Sequence, residues 1–141
     1  MIKQFVDKYR FLSNFYTCDL YDYKNTTVEH IFQASKAERT IDFLSVVNSQ
    51  TPAEAKKLGR KIEIRSDWNE IKVSVMEKLL REKFSKKNPG LVELLLETGD
   101  EELQEGNYWN DTFWGVDLKT GIGENNLGKL LMKIRNDIRS C

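Results

Sequence analysis

In the stretch "TTVEHIFQASKAER", residues 26–39, Glu29, Gln33 and Lys36 stand at spacings of four and three. Each helical residue advances about 100°, so the three fall at about 0°, 40° and −20° on one narrow face. Val28, Ile31, Phe32 and Ser35 lie to one side, as the core-facing stripe. A carboxylate and an amine two turns apart, with an amide between them, can bracket a small ligand. The same pattern also suits a structural helix, with Glu29 closing a capping box from Thr26 and Gln33 and Lys36 in water. The only histidine, His30, lies at about 100° and reads as a hydrogen-bonded structural residue rather than a base.

Three further segments have chemical potential. In "RFLSNFY", residues 10–16, Arg10 and Asn14 are embedded among aromatics, including Phe11. A cation in that setting holds an anion or stacks on a planar ring, or snorkels from the edge of the core. "DTFWG", residues 111–115, sets Asp111 three residues before Trp114 and Gly115, a carboxylate beside an aromatic plate. That pair suits a sugar or a base, or a turn anchored by a buried tryptophan. "GIGENNLGKLLMKIR" feeds a glycine-bearing turn into a helix start at Asn125, where free N–H groups could receive phosphate. It is neither a P-loop nor a dinucleotide fingerprint, and an ordinary asparagine-capped helix is the alternative.

The elements that must position these residues are mostly helical. Short strands are expected near Phe15–Cys18 and Leu20–Tyr23 as a small hairpin. Thr51-Pro52-Ala53-Glu54 opens a helix with a cap, a proline at the first position and a returning Glu. A longer helix begins at Asp67-Trp68-Asn69-Glu70, with Ile71, Val75 and Leu79 recurring every four residues and Met76 and Leu80 beside them. "NPG" at 88–90 separates it from a short helix that ends at Thr98-Gly99. Residues 100–126 read as a long irregular loop, ordered by Tyr108, Trp109 and Trp114. Leu127, Leu130, Leu131, Ile134 and Ile138 form the stripe of a last helix, about Leu127 to Arg139.

Bulk properties narrow the function classes. The 141 residues suit one domain, with 40% hydrophobic and 11% aromatic residues to build its core. Lys plus Arg and Asp plus Glu both count 22, so any anionic ligand needs a local cluster rather than a bulk field. Cys18 and Cys141 show neither zinc-site nor disulfide-framework spacing, and no metal or cofactor is expected. The first 25 residues lack the apolar core of a signal peptide, and no run approaches the ~18 apolar residues of a membrane span. The expectation is a reduced, cytoplasmic protein.

Together, "FLSNF", "TVEHIFQASKA", "IRSDWN", "LQEGNYWNDTFWGV" and "NNLGKLLMKIR" occur in the order and spacing of the YbiA-like, or NADAR, family, which this chain resembles from about Phe5 to Arg135. The resemblance implies a mainly α fold with a minor hairpin and the hydrolysis of N-glycosyl bonds. Members act on phosphoribosylamino-pyrimidine intermediates of riboflavin synthesis, and others remove ADP-ribose from guanine in nucleic acid. Carried onto this sequence, the family's pocket comprises Arg10, Phe11, Asn14, Glu29, Gln33, Lys36, Trp68, Glu105, Asp111, Trp114, Gly115 and Asn125. Two departures bear on substrate fit: a short stretch between the "FLSNF" and "EH" blocks, and the added "NYWN" patch.

Both substrate classes join a sugar to an exocyclic amine. The resemblance makes Lys36 the nucleophile of a Schiff-base route, Glu29 the proton carrier and Asp111 a catalytic carboxylate toward the ribose. Trp68 and Trp114 stack on the base, and Arg10 and the Asn125 helix start hold phosphate. Direct attack by water between two carboxyl groups is the simpler route. The competing function is a non-catalytic ADP-ribose or nucleotide reader, which needs neither a proton carrier nor an amine.

Overall fold

The structure, a computed structural model, describes residues 1–141. Seven helical segments and two two-stranded sheets make the protein mainly helical. The chain forms two compact units. One is Asn14–Lys83; the other joins Met1–Ser13 to Phe84–Cys141.

The Asn14–Lys83 unit opens with an antiparallel hairpin, β1 (Cys18–Leu20) and β2 (Tyr23–Thr26). The hairpin was expected, but it lies about three residues further along the chain. Tyr21 and Asn25 both adopt left-handed backbone, φ 54°. The first makes the turn. The second accompanies an extra residue in β2, since Cys18 pairs with Thr26 but Leu20 with Tyr23. Four helices follow: α1 (Val28–Ser35), α2 (Thr40–Val47), α3 (Pro52–Gly59) and α4 (Trp68–Lys83). The start of α3 is as expected, with Thr51 Oγ1 accepting from the Glu54 N–H at 3.1 Å and Pro52 in the first turn.

The cap of α1 differs from the expectation. Thr27, not Thr26, is the N-cap, its hydroxyl accepting from the His30 N–H at 3.0 Å. Thr26 still belongs to β2, so the strand runs almost directly into the helix. α1 packs against α2, α3 and α4 and is covered nearly all round, with every residue from Val28 to Ala34 buried. On α4, Met76, Leu79 and Leu80 are the fully buried part of the expected stripe, and Lys83, one turn beyond, is buried with them.

In the other unit, a 3₁₀ helix (Asp7–Leu12) precedes α5 (Pro89–Glu97), the strands β3 (Gly106–Asn107) and β4 (Val116–Asp117), and α6 (Asn126–Arg139). β3 and β4 pair in parallel, so the segment expected to be wholly irregular has a short ladder within it. The N-terminal segment lies alongside: Ile2 and Leu103 form a parallel bridge, and the Gly106 N–H donates to the Lys3 carbonyl at 3.0 Å. α6 buries Leu127, Leu130, Leu131 and Ile134 as expected, each contributing roughly 1.5–3 kcal/mol of apolar burial. No helix is long and apolar enough to cross a membrane.

Candidate active site

The structure answers the question of whether the Glu29 face is solvated. Glu29 and Gln33 are only 7% and 8% exposed, and Gln33 Nε2 donates to Glu29 Oε1 at 2.9 Å. The burial comes from the helices around α1, and the i, i+4 spacing makes the amide–carboxylate bond geometrically natural. Glu29 does not close a capping box: its N–H donates to the Asn14 carbonyl at 3.1 Å, and its carboxylate lies inside the unit. Burying a carboxylate is expensive unless hydrogen bonds compensate. The Gln33 amide is therefore part of what makes Glu29 tolerable there.

Lys36 is the C-cap residue of α1, one turn beyond Gln33 and half-buried. Burial pulls its ammonium below the usual lysine range. Glu29 opposes that shift and the Arg60 guanidinium adds to it. The pull toward the neutral form is what an amine nucleophile requires. The backbone at this position is fixed as well, because the Lys36 carbonyl accepts from the Arg65 N–H at 2.9 Å.

Asn14 is tied to the start of α1 through the same bond to Glu29. Its Nδ2 approaches Met76 Sδ at 3.7 Å, while its Oδ1 is buried and has no hydrogen-bond partner. Trp68 is 9% exposed and packs on Phe32 of α1, ring centroids 5.0 Å apart and tilted by 55°. His30 is structural, as expected. Its Nε2 reaches the Ser49 carbonyl at 3.0 Å and its Nδ1 lies 2.7 Å from Thr27 Oγ1. A neutral ring protonated on Nε2 satisfies both contacts, with the Thr27 hydroxyl donating to Nδ1.

The remaining expected residues lie in the other unit. Arg10 is exposed on the 3₁₀ helix, while its neighbour Phe11 is 4% exposed and belongs to the packing. Glu105, Asp111, Trp114, Gly115 and Asn125 are drawn together by side-chain to backbone bonds. The Glu105 N–H donates to Asn125 Oδ1 at 3.0 Å, and Asn125 Nδ2 donates to the Leu103 carbonyl at 2.9 Å. Asp111 Oδ1 accepts from the N–H groups of Phe113 and Trp114 at 3.2 and 3.0 Å, an Asx-type turn that sets the Trp114 backbone. Gly115 lies so close to Glu105 that a Cβ there would strike its carboxylate and its carbonyl.

Two of the N–H groups expected to be free at the start of the last helix are already occupied. Those of Asn126 and Leu127 donate to the carbonyls of Phe113 and Trp114 at 3.3 and 3.0 Å. Asn125 itself is left-handed, φ 54°, and its side chain makes no cap bond. Asn125 thus braces the loop instead of opening an anion site.

Sequence reasoning missed Asn107. It is 1% exposed. Its Nδ2 donates to Glu105 Oε2 and to the Asp111 carbonyl, both at 2.9 Å, and its Oδ1 accepts from the Asp111 N–H at 3.0 Å. The signal was its place in "NYWN": an asparagine four residues before a turn aspartate can close the loop between them. No group of three or more His, Cys, Asp or Glu side chains converges to hold a metal ion.

A sequence model of the NADAR domain matches residues 2–139. N-glycosidase Npun_R5314 of Nostoc punctiforme is 39% identical over 81% of this chain and 74% of its own length. N-glycosidase YbiA of Shigella flexneri is 37% identical over 94% of this chain and 83% of its own. A longer relative, Riboflavin biosynthesis protein VVA0006 of Vibrio vulnificus, is 37% identical over 94% of this chain, which spans only 36% of that protein. The NMR structure of the E. coli protein YbiA superposes with a TM-score of 0.83 at 32% identity, covering 99% of this chain and 88% of that one.

Proposed function

Because the chain belongs to the NADAR domain family, we propose that it is an N-glycosidase cleaving a glycosylamine, a ribose joined to an exocyclic amine. The preferred substrate is a phosphoribosylamino-pyrimidine of the kind formed in riboflavin synthesis, the process named for the Vibrio vulnificus relative. ADP-ribosylated guanine in DNA or RNA is the alternative substrate. The observation that carries the reading is the α1 pair: a buried Glu29 held by Gln33, and one turn on, a half-buried lysine pulled toward its neutral form.

The chemistry follows from those two groups. Opening of the ribose ring leaves an imine between C1 and the exocyclic nitrogen. The Lys36 amine adds its electron pair to C1, Glu29 takes up the proton that the attacking nitrogen loses, and it delivers that proton to the departing amine as the C1–N bond breaks. The resulting Schiff base on Lys36 takes up water, and collapse of the adduct returns the amine and releases the sugar aldehyde. Gln33 keeps the Glu29 carboxylate oriented. Asn14 Oδ1, a buried acceptor, suits a hydroxyl or N–H of the substrate, and Trp68 suits the base.

For the family-implied residues of the other unit we propose binding roles: Arg10 for phosphate, Trp114 for the base, and Asp111 through Oδ2 for ribose hydroxyls. Glu105, Gly115 and Asn125 hold that loop in shape, and Phe11 is buried in the packing. Incubation with each of the two substrates, with product read by mass, tests the reading. Release of free base and sugar from either one supports it. Tight binding of both without release would make the protein a reader instead.

A further inference from the structure

The geometry points to Gly59 as a positioning residue for Lys36 and Gln33, an inference that takes the α1 site above as its premise. Gly59 is the last residue of α3 and is buried. A Cβ built on it would overlap Gln33 Oε1 and stand 2.9 Å from Lys36 Cε and 3.0 Å from Gln33 Cδ. The bare Cα is therefore the surface on which two site side chains rest. Gln33 Oε1 is buried without a hydrogen-bond partner, so on that side packing against Gly59 stands where a donor would, while the Nε2 bond to Glu29 sets which way the amide is turned. The amide's other end, Nε2, holds Glu29. One missing methyl group thus sets the place of the amine, the amide and, through the amide, the carboxylate.

The conformation of Gly59 does not itself demand glycine. It is helical and is not among the glycines of positive φ. Alanine is the better helix former, and the atoms its Cβ would meet are ends of flexible side chains, which can yield without moving a backbone. Gly59→Ala therefore disturbs the site more than the backbone: α3 keeps its helix while Lys36 and Gln33 are pushed aside, and the loosened Gln33–Glu29 bond costs some stability. The next residue, Arg60, is the C-cap of α3 and the cation acting on Lys36. The charged groups acting on the Lys36 amine are thus Glu29 from its own helix and Arg60 from the end of α3.

The test has two readouts. Limited labelling with acetic anhydride across pH, read on the Lys36 peptide by mass, reports the amine without any substrate. Burial is the main cause holding that amine down, so displacing its stem from α3 should move the labelling midpoint up toward that of an ordinary lysine. Turnover of the ribosylamino-pyrimidine should fall by about tenfold or more in kcat, with KM little changed, as expected for misplaced reacting groups. A folded Gly59→Ala protein with an unchanged Lys36 midpoint overturns the inference. If the wild type cleaves neither glycosylamine but the midpoint still moves, the proposed function falls and the positioning role stands. Should Gly59→Ala fail to fold, the labelling comparison passes to Gln33→Ala against Gln33→Ala/Gly59→Ala. The Oε1 overlap is then gone, and the contact with Lys36 Cε must still shift the midpoint.

Discussion

Replacing Lys83 by methionine should stabilise the protein near neutral pH. Lys83 is 0% exposed at the end of α4, its ammonium 6.0 Å from the centroid of the Tyr16 ring. Burial lowers its pKa from 10.5 to about 8, with Cys18 opposing. At pH 7 the lysine is still charged, and holding that charge in the interior costs the folded state about 3 kcal/mol. Losing the Tyr16 contact and the lysine's other polar contacts offsets part of that gain, so a net of about 1–3 kcal/mol is expected. The sign follows from proton counting. Between about pH 8 and 10.5 the unfolded chain binds a proton that the folded one lacks, so stability rises with pH. Cys18 acts oppositely: burial raises its thiol from 9.0 to about 11, and stability is lost as pH climbs through that range. The wild type should therefore gain somewhat less than about 1 kcal/mol from pH 8 to 9, because Lys83 is only half deprotonated at pH 8 and the Cys18 loss has begun, and then level off. Lys83→Met should show only the Cys18 loss above pH 9. Urea unfolding at a series of pH values measures both. A methionine variant clearly less stable than the wild type at pH 7 would refute the reasoning, because it would mean the contacts of the amine outweigh its desolvation.

Three other outcomes follow from the site. Glu29→Gln keeps the shape and loses the proton carrier, so turnover should drop about 10²–10⁴-fold with binding of a product analogue little affected; steady-state kinetics and calorimetry separate the two. Arg60→Gln removes one of the two influences that lower the Lys36 amine. Its pKa should rise, and the acid limb of the pH–kcat/KM profile should shift to higher pH. Asn107→Ala strands the Asp111 N–H, at about 1–3 kcal/mol for a buried unsatisfied group; a lower urea midpoint and faster hydrogen exchange at residues 111–114 should report it.

The helices were legible because their signals are local. The stripe of α6, the Thr51-Pro52 start and the alignment of Glu29, Gln33 and Lys36 all follow from spacing along one segment. What was not legible depends on which segments meet. α1 shows an apolar stripe on one side only, yet α2, α3 and α4 cover it on the others, and its Glu29 face is buried for that reason. Lys83 falls one turn beyond Leu79 and Leu80 on the α4 stripe, where a lysine reads as the end of the apolar face, and the unit's packing buries it instead. Thr26 and Thr27 offer nearly the same local chemistry. The strand pairing of Thr26 with Cys18 decides that Thr27 caps the helix. The occupied N–H groups at the start of α6 were hidden for the same reason, their acceptors being carbonyls of a loop whose path is set by Asn107 and Asp111.

The central claim is that Lys36 bonds covalently to the sugar. Borohydride added while the enzyme turns over the ribosylamino-pyrimidine should reduce the Schiff base and leave a sugar adduct on the Lys36 peptide, seen by mass. Lys36→Arg, which keeps the charge without an accessible neutral amine, should give no adduct and no turnover while still binding the substrate. Near-normal turnover by Lys36→Arg, with no adduct in the wild type, would contradict the account and leave direct attack by water as the route.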